Sequence, residues 1–224
     1  MRITNVKKCF GSFSLDVSHL DFSKPIIYGM MGPNGCGKTT IMKIMAGLQK
    51  ADYSQIDYGG LDGRDITMVF KKPYLINDTV VKNLVYPLSL RGIKADEATI
   101  DEYLERAGLQ DHRENHALSL SGGEQQKLSL MRALIFSPKV ILMDEGFSNM
   151  DIESVALFEE YILERQKTHP ITWIMVSHQI SNIKRLCDYI YFMNKGKLEV
   201  KGRVDEVLLS DHSNPHLRRF LKYN

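Results

Sequence analysis

The stretch Gly32, Pro33, Asn34, Gly35, Cys36, Gly37, Lys38, Thr39 and Thr40 constrains this chain more than any other, because it fits G-x-x-x-x-G-K-S/T. The apolar run Ile26, Ile27, Tyr28, Gly29, Met30 and Met31 precedes it as a buried strand would, and residues 41–46 follow with helix-forming side chains. The loop therefore joins a strand to a helix. In that setting the glycines let backbone N–H groups converge on phosphate oxygens, and the helix N-terminus adds positive potential. Lys38 reaches the terminal phosphates and the Thr39 hydroxyl can ligate magnesium. A glycine-rich turn with no ligand is the alternative, and the strand-loop-helix placement argues against it.

At 224 residues the chain has material for one large α/β domain or for a core with an inserted subdomain. A net charge of +2, with no basic run interleaved with aromatics, gives no reason to expect a nucleic-acid partner. Cys9, Cys36 and Cys187 are widely spaced and form no C-x-x-C pair, so neither a disulfide framework nor a zinc site is indicated. No apolar run reaches the length of a membrane span. The expectation is a soluble cytoplasmic chain whose membrane contact comes through a partner.

Residues 2–6 and 13–17 alternate as antiparallel strands, with 7–12 as the turn between them. Phe10 in that turn suits either an adenine stack or a strand-end place in the core. Residues 53–58 and 66–70 read as strands, and residues 80–91 and 96–107 as helices stopped by Gly92 and Gly108. The segment from 73 to 136 is therefore an inserted helical region between residues 1–72 and 137–224. Within it, Ser121 caps a helix that begins at Gly122 and Gly123, an end that can bind an anion or be merely capped.

The run Val140, Ile141, Leu142 and Met143 delivers Asp144 and Glu145 to the C-terminal edge of a parallel strand, where open α/β sheets bind ligands. Asp144 is placed to hold magnesium and Glu145 to act as general base on an attacking water. Asp151 opens a helix over 152–167. Residues 171–176 form another buried strand that ends in Ser177 and His178, a histidine placed to meet a γ-phosphate or to cap structurally. Residues 189–193 and 197–201 form a hairpin, and 204–209 and 216–221 read as helices. His212 and His216 fit a solvated tail better than a metal site, given Pro215 between them.

Taken in order, these pieces resemble the ATP-binding cassette family over nearly the whole chain. Residues 32–39 match its P-loop, residues 120–125 (LSGGEQ) its signature, Asp144 and Glu145 the end of its Walker B strand, residues 148–151 its D-loop and His178 its switch histidine. The resemblance implies a P-loop NTPase (RecA-like) α/β core with an N-terminal antiparallel β region and an inserted α-helical subdomain. It implies ATP and magnesium as ligands, with Glu145, His178 and Lys38 catalytic and Thr39 and Asp144 on the metal. It also implies a head-to-tail homodimer in which Ser121, Gly122, Gly123 and Asp151 of one subunit close the nucleotide held by residues 32–40 and Phe10 of the other. A separate transmembrane permease, peripheral attachment at the inner face of the membrane and, for an importer, an extracytoplasmic solute-binding protein complete the expected assembly.

Two positions depart from the family pattern. Lys71 stands where a glutamine carbonyl usually reaches magnesium, and a charged ammonium has donors only. Water is then expected to complete the metal shell while Lys71 swings away or contacts phosphate. Gly146 replaces a usual proline after the glutamate, which suggests a looser backbone. Cys36, beside Lys38 at a helix N-terminus, is either a stabilised thiolate or a tolerated variable residue. Residues 79–88 and the short C-terminus look like importers of oxyanions or amino acids. An exporter or lipid-handling ATPase, and a soluble cassette protein acting on DNA or ribosomes, are the competing readings.

Overall fold

A computed structural model describes residues 1–209 and 212–223. The chain opens with β1 (Arg2–Phe10) and β2 (Phe13–Asp21), then β3 (Ile27–Met31), α1 (Lys38–Met45), β4 (Tyr53–Asp57) and β5 (Ile66–Val69). Three longer helices follow: α2 (Val80–Ser89), α3 (Glu97–Ala107) and α4 (Gly122–Leu134). The remainder alternates β6 (Val140–Asp144), α5 (Ile152–Thr168), β7 (Thr172–Val176), α6 (Ile180–Leu186), β8 (Tyr189–Asn194), β9 (Lys197–Arg203), α7 (Val204–Val207) and α8 (Pro215–Tyr223).

Two sheets result. The larger has the order β5-β6-β7-β3-β8-β9, parallel except for the antiparallel β8–β9 edge. The smaller, β2-β1-β4, is antiparallel. Period-two alternation in a strand buried on both faces explains how one sheet serves two cores. In β6, Val140 and Leu142 join the core made with α1 and the antiparallel sheet, whereas Ile141 and Met143 join the core made with α2 to α6. The fold is thus a P-loop NTPase α/β architecture with an antiparallel region at its N-terminus.

The first hairpin is longer than its sequence suggests. The expected turn over 7–12 shrinks to Gly11, at φ 53°, and Ser12, because β1 pairs along its length with β2 and over residues 2–7 also with β4. Its charged residues keep their heads at the surface, where Lys7 meets Asp16 at 3.5 Å and Lys8 meets Asp52 at 2.9 Å. The C-terminal tail also differs from expectation. It is docked rather than solvated: Leu217 of α8 is fully buried, Phe220 lies 5.6 Å from Phe192, and His216 Nδ1 faces Glu199 of β9 at 2.9 Å. His216 is tied to a carboxylate and His212 accepts from the Asn214 amide, so the pair makes no metal site.

α2, α3 and α4 pack on one another, and α4 also reaches β5. Buried Asn83 of α2 fastens the connection ahead of it. Its Oδ1 accepts from the Ile76 amide at 2.8 Å, while its Nδ2 donates to the carbonyls of Ile76 and Thr79, each at 3.0 Å.

Candidate active site

Parallel pairing brings the C-terminal ends of β3, β6 and β7 side by side, and each end carries one component of the site. From β3 comes the loop 32–37, which turns into α1 at Lys38. From β6 come Asp144 and Glu145, and from β7 Ser177 and His178. A cleft of about 300 Å³ opens there, lined by Phe10, Asn34, Gly35, Gly37, Lys38, Thr39, Thr40, Glu145 and His178 together with Phe13 and Val176.

Lys38 is almost fully buried and donates to the carbonyls of Gly32 at 2.7 Å and Pro33 at 3.1 Å, so its ammonium lies along its own loop. Thr39 Oγ1 donates to Asp144 Oδ2 at 2.8 Å. The two expected metal ligands are therefore in contact, 105 positions apart in sequence. Burial pushes the Asp144 carboxyl up, only partly offset by the Thr39 hydrogen bond. A buried, incompletely compensated carboxylate beside a hydroxyl, both hard oxygen donors, fits magnesium. Among the described residues no group of three or more His, Cys, Asp or Glu could hold a metal ion by itself.

Glu145 is held from both sides. His178 Nε2 lies 2.8 Å from its Oε1, and Lys71 Nζ lies 2.7 Å from its Oε2. Burial would push this carboxyl up, but the Lys71 and His178 contacts outweigh it and hold the group below the usual range. The backbone at Glu145 sits at φ 52°, a left-handed conformation uncommon outside glycine. Lys71 thus reaches the general-base candidate, a partner the sequence did not suggest.

Other expectations change in the structure. Gly146 has a packing role that its sequence position did not suggest: a Cβ there would stand 2.3 Å from Met143 Cγ and 2.6 Å from Sδ, so glycine makes room for a buried methionine. Cys36 is buried, with Sγ 3.8 Å from Lys38 Nζ, and burial pushes its thiol up against the weaker pull of Lys38. Of the two readings of Cys36, this favours the tolerated variable residue, because the loop folds the sulfur inward. Phe10 ends β1 at 42% exposure, outside both cores, and Lys8 Nζ lies 5.6 Å from its ring. Phe13 was missed by sequence reasoning, although a tight two-residue turn makes it the cross-strand partner of Phe10.

Ser121, Gly122, Gly123 and Asp151 do not line this cleft. Ser121 Oγ accepts from the Glu124 amide at 3.3 Å while Glu124 Oε2 accepts from the Ser121 amide at 2.8 Å, a reciprocal capping box. The glycines beyond it begin α4 at the surface. Asp151 caps α5, with Oδ1 accepting from the Ser154 amide at 2.7 Å and Oδ2 from its hydroxyl at 2.8 Å.

A family model described as ABC transporter matches residues 15–148, more than half of the chain. The chain is 36% identical over 203 residues to the tungstate uptake system ATP-binding protein TupC of Peptoclostridium acidaminophilum, covering 88% of this chain and 95% of that one. It is 33% identical to the Fe(3+) ions import ATP-binding protein FbpC 1 of Haemophilus influenzae, covering 94% of this chain and 68% of the relative. It is 32% identical to a probable sulfate/thiosulfate import ATP-binding protein, CysA, of Chlorella vulgaris, covering 98% and 97%. Among solved structures, the dimeric post-hydrolysis state of the ATP-binding cassette MJ0796 bound to ADP and Pi superposes with a TM-score of 0.80 at 25% identity, covering 91% of this chain and 98% of that one. The chain accordingly belongs to the ABC transporter family as an ATP-binding, ATP-hydrolysing subunit.

Proposed function

We propose that this chain drives import of a small oxyanion, working as a head-to-tail dimer on the inner face of a membrane beneath a separate permease that receives solute from an extracytoplasmic binding protein. The oxyanion class is supported by the relatives named for tungstate and for sulfate or thiosulfate, both matched over almost their full length. Among the described residues no helix is long and apolar enough to cross a membrane, and in this reading the translocation path is the permease's. Residues 73–136 are the helical subdomain that meets it, and 1–72 with 137–224 the ATP-binding core.

In this reading the ring of Phe10 stacks on adenine and residues 32–40 hold the phosphates through backbone N–H groups. Thr39 and Asp144 hold magnesium, which when bound neutralises charge on the phosphate oxygens. Lys38 leaves the Gly32 carbonyl for the γ-phosphate. Glu145 takes a proton from the water that attacks that phosphorus in line, and His178 stabilises the charge that develops. Ser121, Gly122 and Gly123 of the second subunit, with Asp151 near the junction, complete the enclosure and keep bulk water out.

The contact between Thr39 Oγ1 and Asp144 Oδ2 carries this reading, since it joins the phosphate loop to the strand end that bears the general base. Glu145→Gln tests it. With ATP the variant should dimerise on size-exclusion chromatography while hydrolysis falls by about a hundredfold or more, the lower range for loss of a general base. A variant that stays monomeric and still hydrolyses ATP would defeat it.

A further inference from the structure

Lys71 belongs to the short segment that leaves β5 for the helical region, and that segment is fastened on two sides. The Phe70 carbonyl accepts from Gln126 Nε2 of α4 at 3.3 Å, and the Tyr74 carbonyl accepts from Arg132 Nη2 of α4 at 2.5 Å. On the other side the Lys71 carbonyl accepts from Ser148 Oγ at 2.9 Å, in the loop that follows Glu145. The Lys71 ammonium then reaches Glu145 Oε2 at 2.7 Å, while His178 holds Oε1. The two partners differ in freedom: the Lys71 side chain is 61% exposed and the Glu145 side chain 19%. Lysine can swing into water at little cost, whereas the carboxylate is confined.

We propose that Lys71 is a positioning residue for Glu145, holding its carboxylate off the attacking water in the free subunit and releasing it when α4 shifts the 70–74 segment. This rests on the ATPase reading above. It explains how a cation can occupy a place beside the metal site: Lys71 is paired with the general base rather than turned toward the metal. Hydrolysis is then restrained until the helical region moves, a motion that nucleotide binding begins and a permease completes, so turnover without a permease is kept low by a contact that is loosened but not abolished.

The contact can be tested without catalysis. A water-soluble carbodiimide joins an amine and a carboxylate already in contact as an amide, itself taking up the water released. Mass spectrometry of the treated wild-type chain should find the peptides carrying residues 71 and 145 linked, and Lys71→Arg and Glu145→Gln should remove the link. A non-hydrolysable ATP analogue with magnesium should reduce its yield severalfold. No link in the free chain, or an undiminished one under the analogue, overturns the proposal.

Kinetics supply the second arm, with Lys71→Met removing the ammonium without offering a metal ligand. Its kcat should rise, by up to about fivefold, the upper end expected from breaking an exposed ion pair, with KM unchanged. Lys71→Arg should stay near the wild-type rate. Added salt should raise the wild-type kcat toward that of Lys71→Met and leave the variant flat. Lys38→Ala identifies the chain's own turnover: a preparation with no Lys38-dependent rate overturns the ATPase reading, whereas a Lys38-dependent rate that Lys71→Met leaves unchanged or lowers overturns the restraint alone.

Discussion

Burial pushes the Asp144 carboxyl up, and it would push its neighbour Glu145 up too, had Lys71 and His178 not more than reversed it. Two adjacent carboxylates are thereby suited to different work, one incompletely compensated, as a proposed metal ligand would be, and one held in its charged form by its partners. A group whose folded pKa is raised costs stability once pH exceeds its unfolded value, because folding then buries a charge that water would solvate. Asp144→Asn should therefore raise the nucleotide-free Tm at pH 7. The gain should vanish as pH falls below the ordinary carboxylate range, where Asp144 is protonated folded and unfolded alike, and circular dichroism melts across pH would read it. A variant less stable at pH 7 would show that the Thr39 hydrogen bond outweighs the burial. The identity of both carboxylates was legible because four apolar residues lead directly into them. Their electrostatics were not, since Lys71 is 74 residues from Glu145 along the chain and only folding makes them neighbours.

α4 illustrates the same division at the scale of an element. Its start was readable from Ser121 and the glycines after it, because a capping box is local and its residues lie within one turn. What Gly123 does inside the subunit was hidden: a Cβ at that position would stand 2.8 Å from the Asn149 carbonyl oxygen, in the loop between β6 and α5. The glycine proposed to offer its backbone to a partner's phosphate also lets α4 sit against its own chain. Gly123→Ala must displace backbone rather than a flexible side-chain tip, so it should destabilise the isolated subunit by about 1–3 kcal/mol, as overpacking does. Thermal unfolding of the free subunit, measured without nucleotide, separates this from lost phosphate contact; a Tm within about 1 °C of wild type would refute the packing role. The N-terminal hairpin erred in the opposite direction. Charged Lys7 and Lys8 hid the continuation of β1, because a strand flanked on both edges draws its stability from the ladder and can carry charges at its rim.

For the whole molecule, the proposed composite site places its two halves on separate surfaces of one subunit. The cleft holds the phosphate loop, Glu145 and His178, while Ser121 and Gly122 lie exposed at the start of α4 and line no part of that cleft. A head-to-tail pair with two-fold symmetry uses each half twice and leaves none unused. Lys38→Ala disables a subunit's own phosphate loop, and Ser121→Arg disables what it lends to its partner. Each variant alone should then be inactive. Mixed in equal amounts, half of the dimers pair one chain of each kind, and each such dimer has one intact site, built from the Ser121→Arg chain's phosphate loop and the Lys38→Ala chain's Ser121. Turnover should return to about a quarter of wild type when the sites act independently, because one in two dimers carries one of two sites. The expected ATPase rate is linear in the heterodimer fraction as the mixing ratio is varied. A mixture no more active than its components would mean that the cleft and the α4 N-terminus serve the same subunit, and the composite site would have to be abandoned.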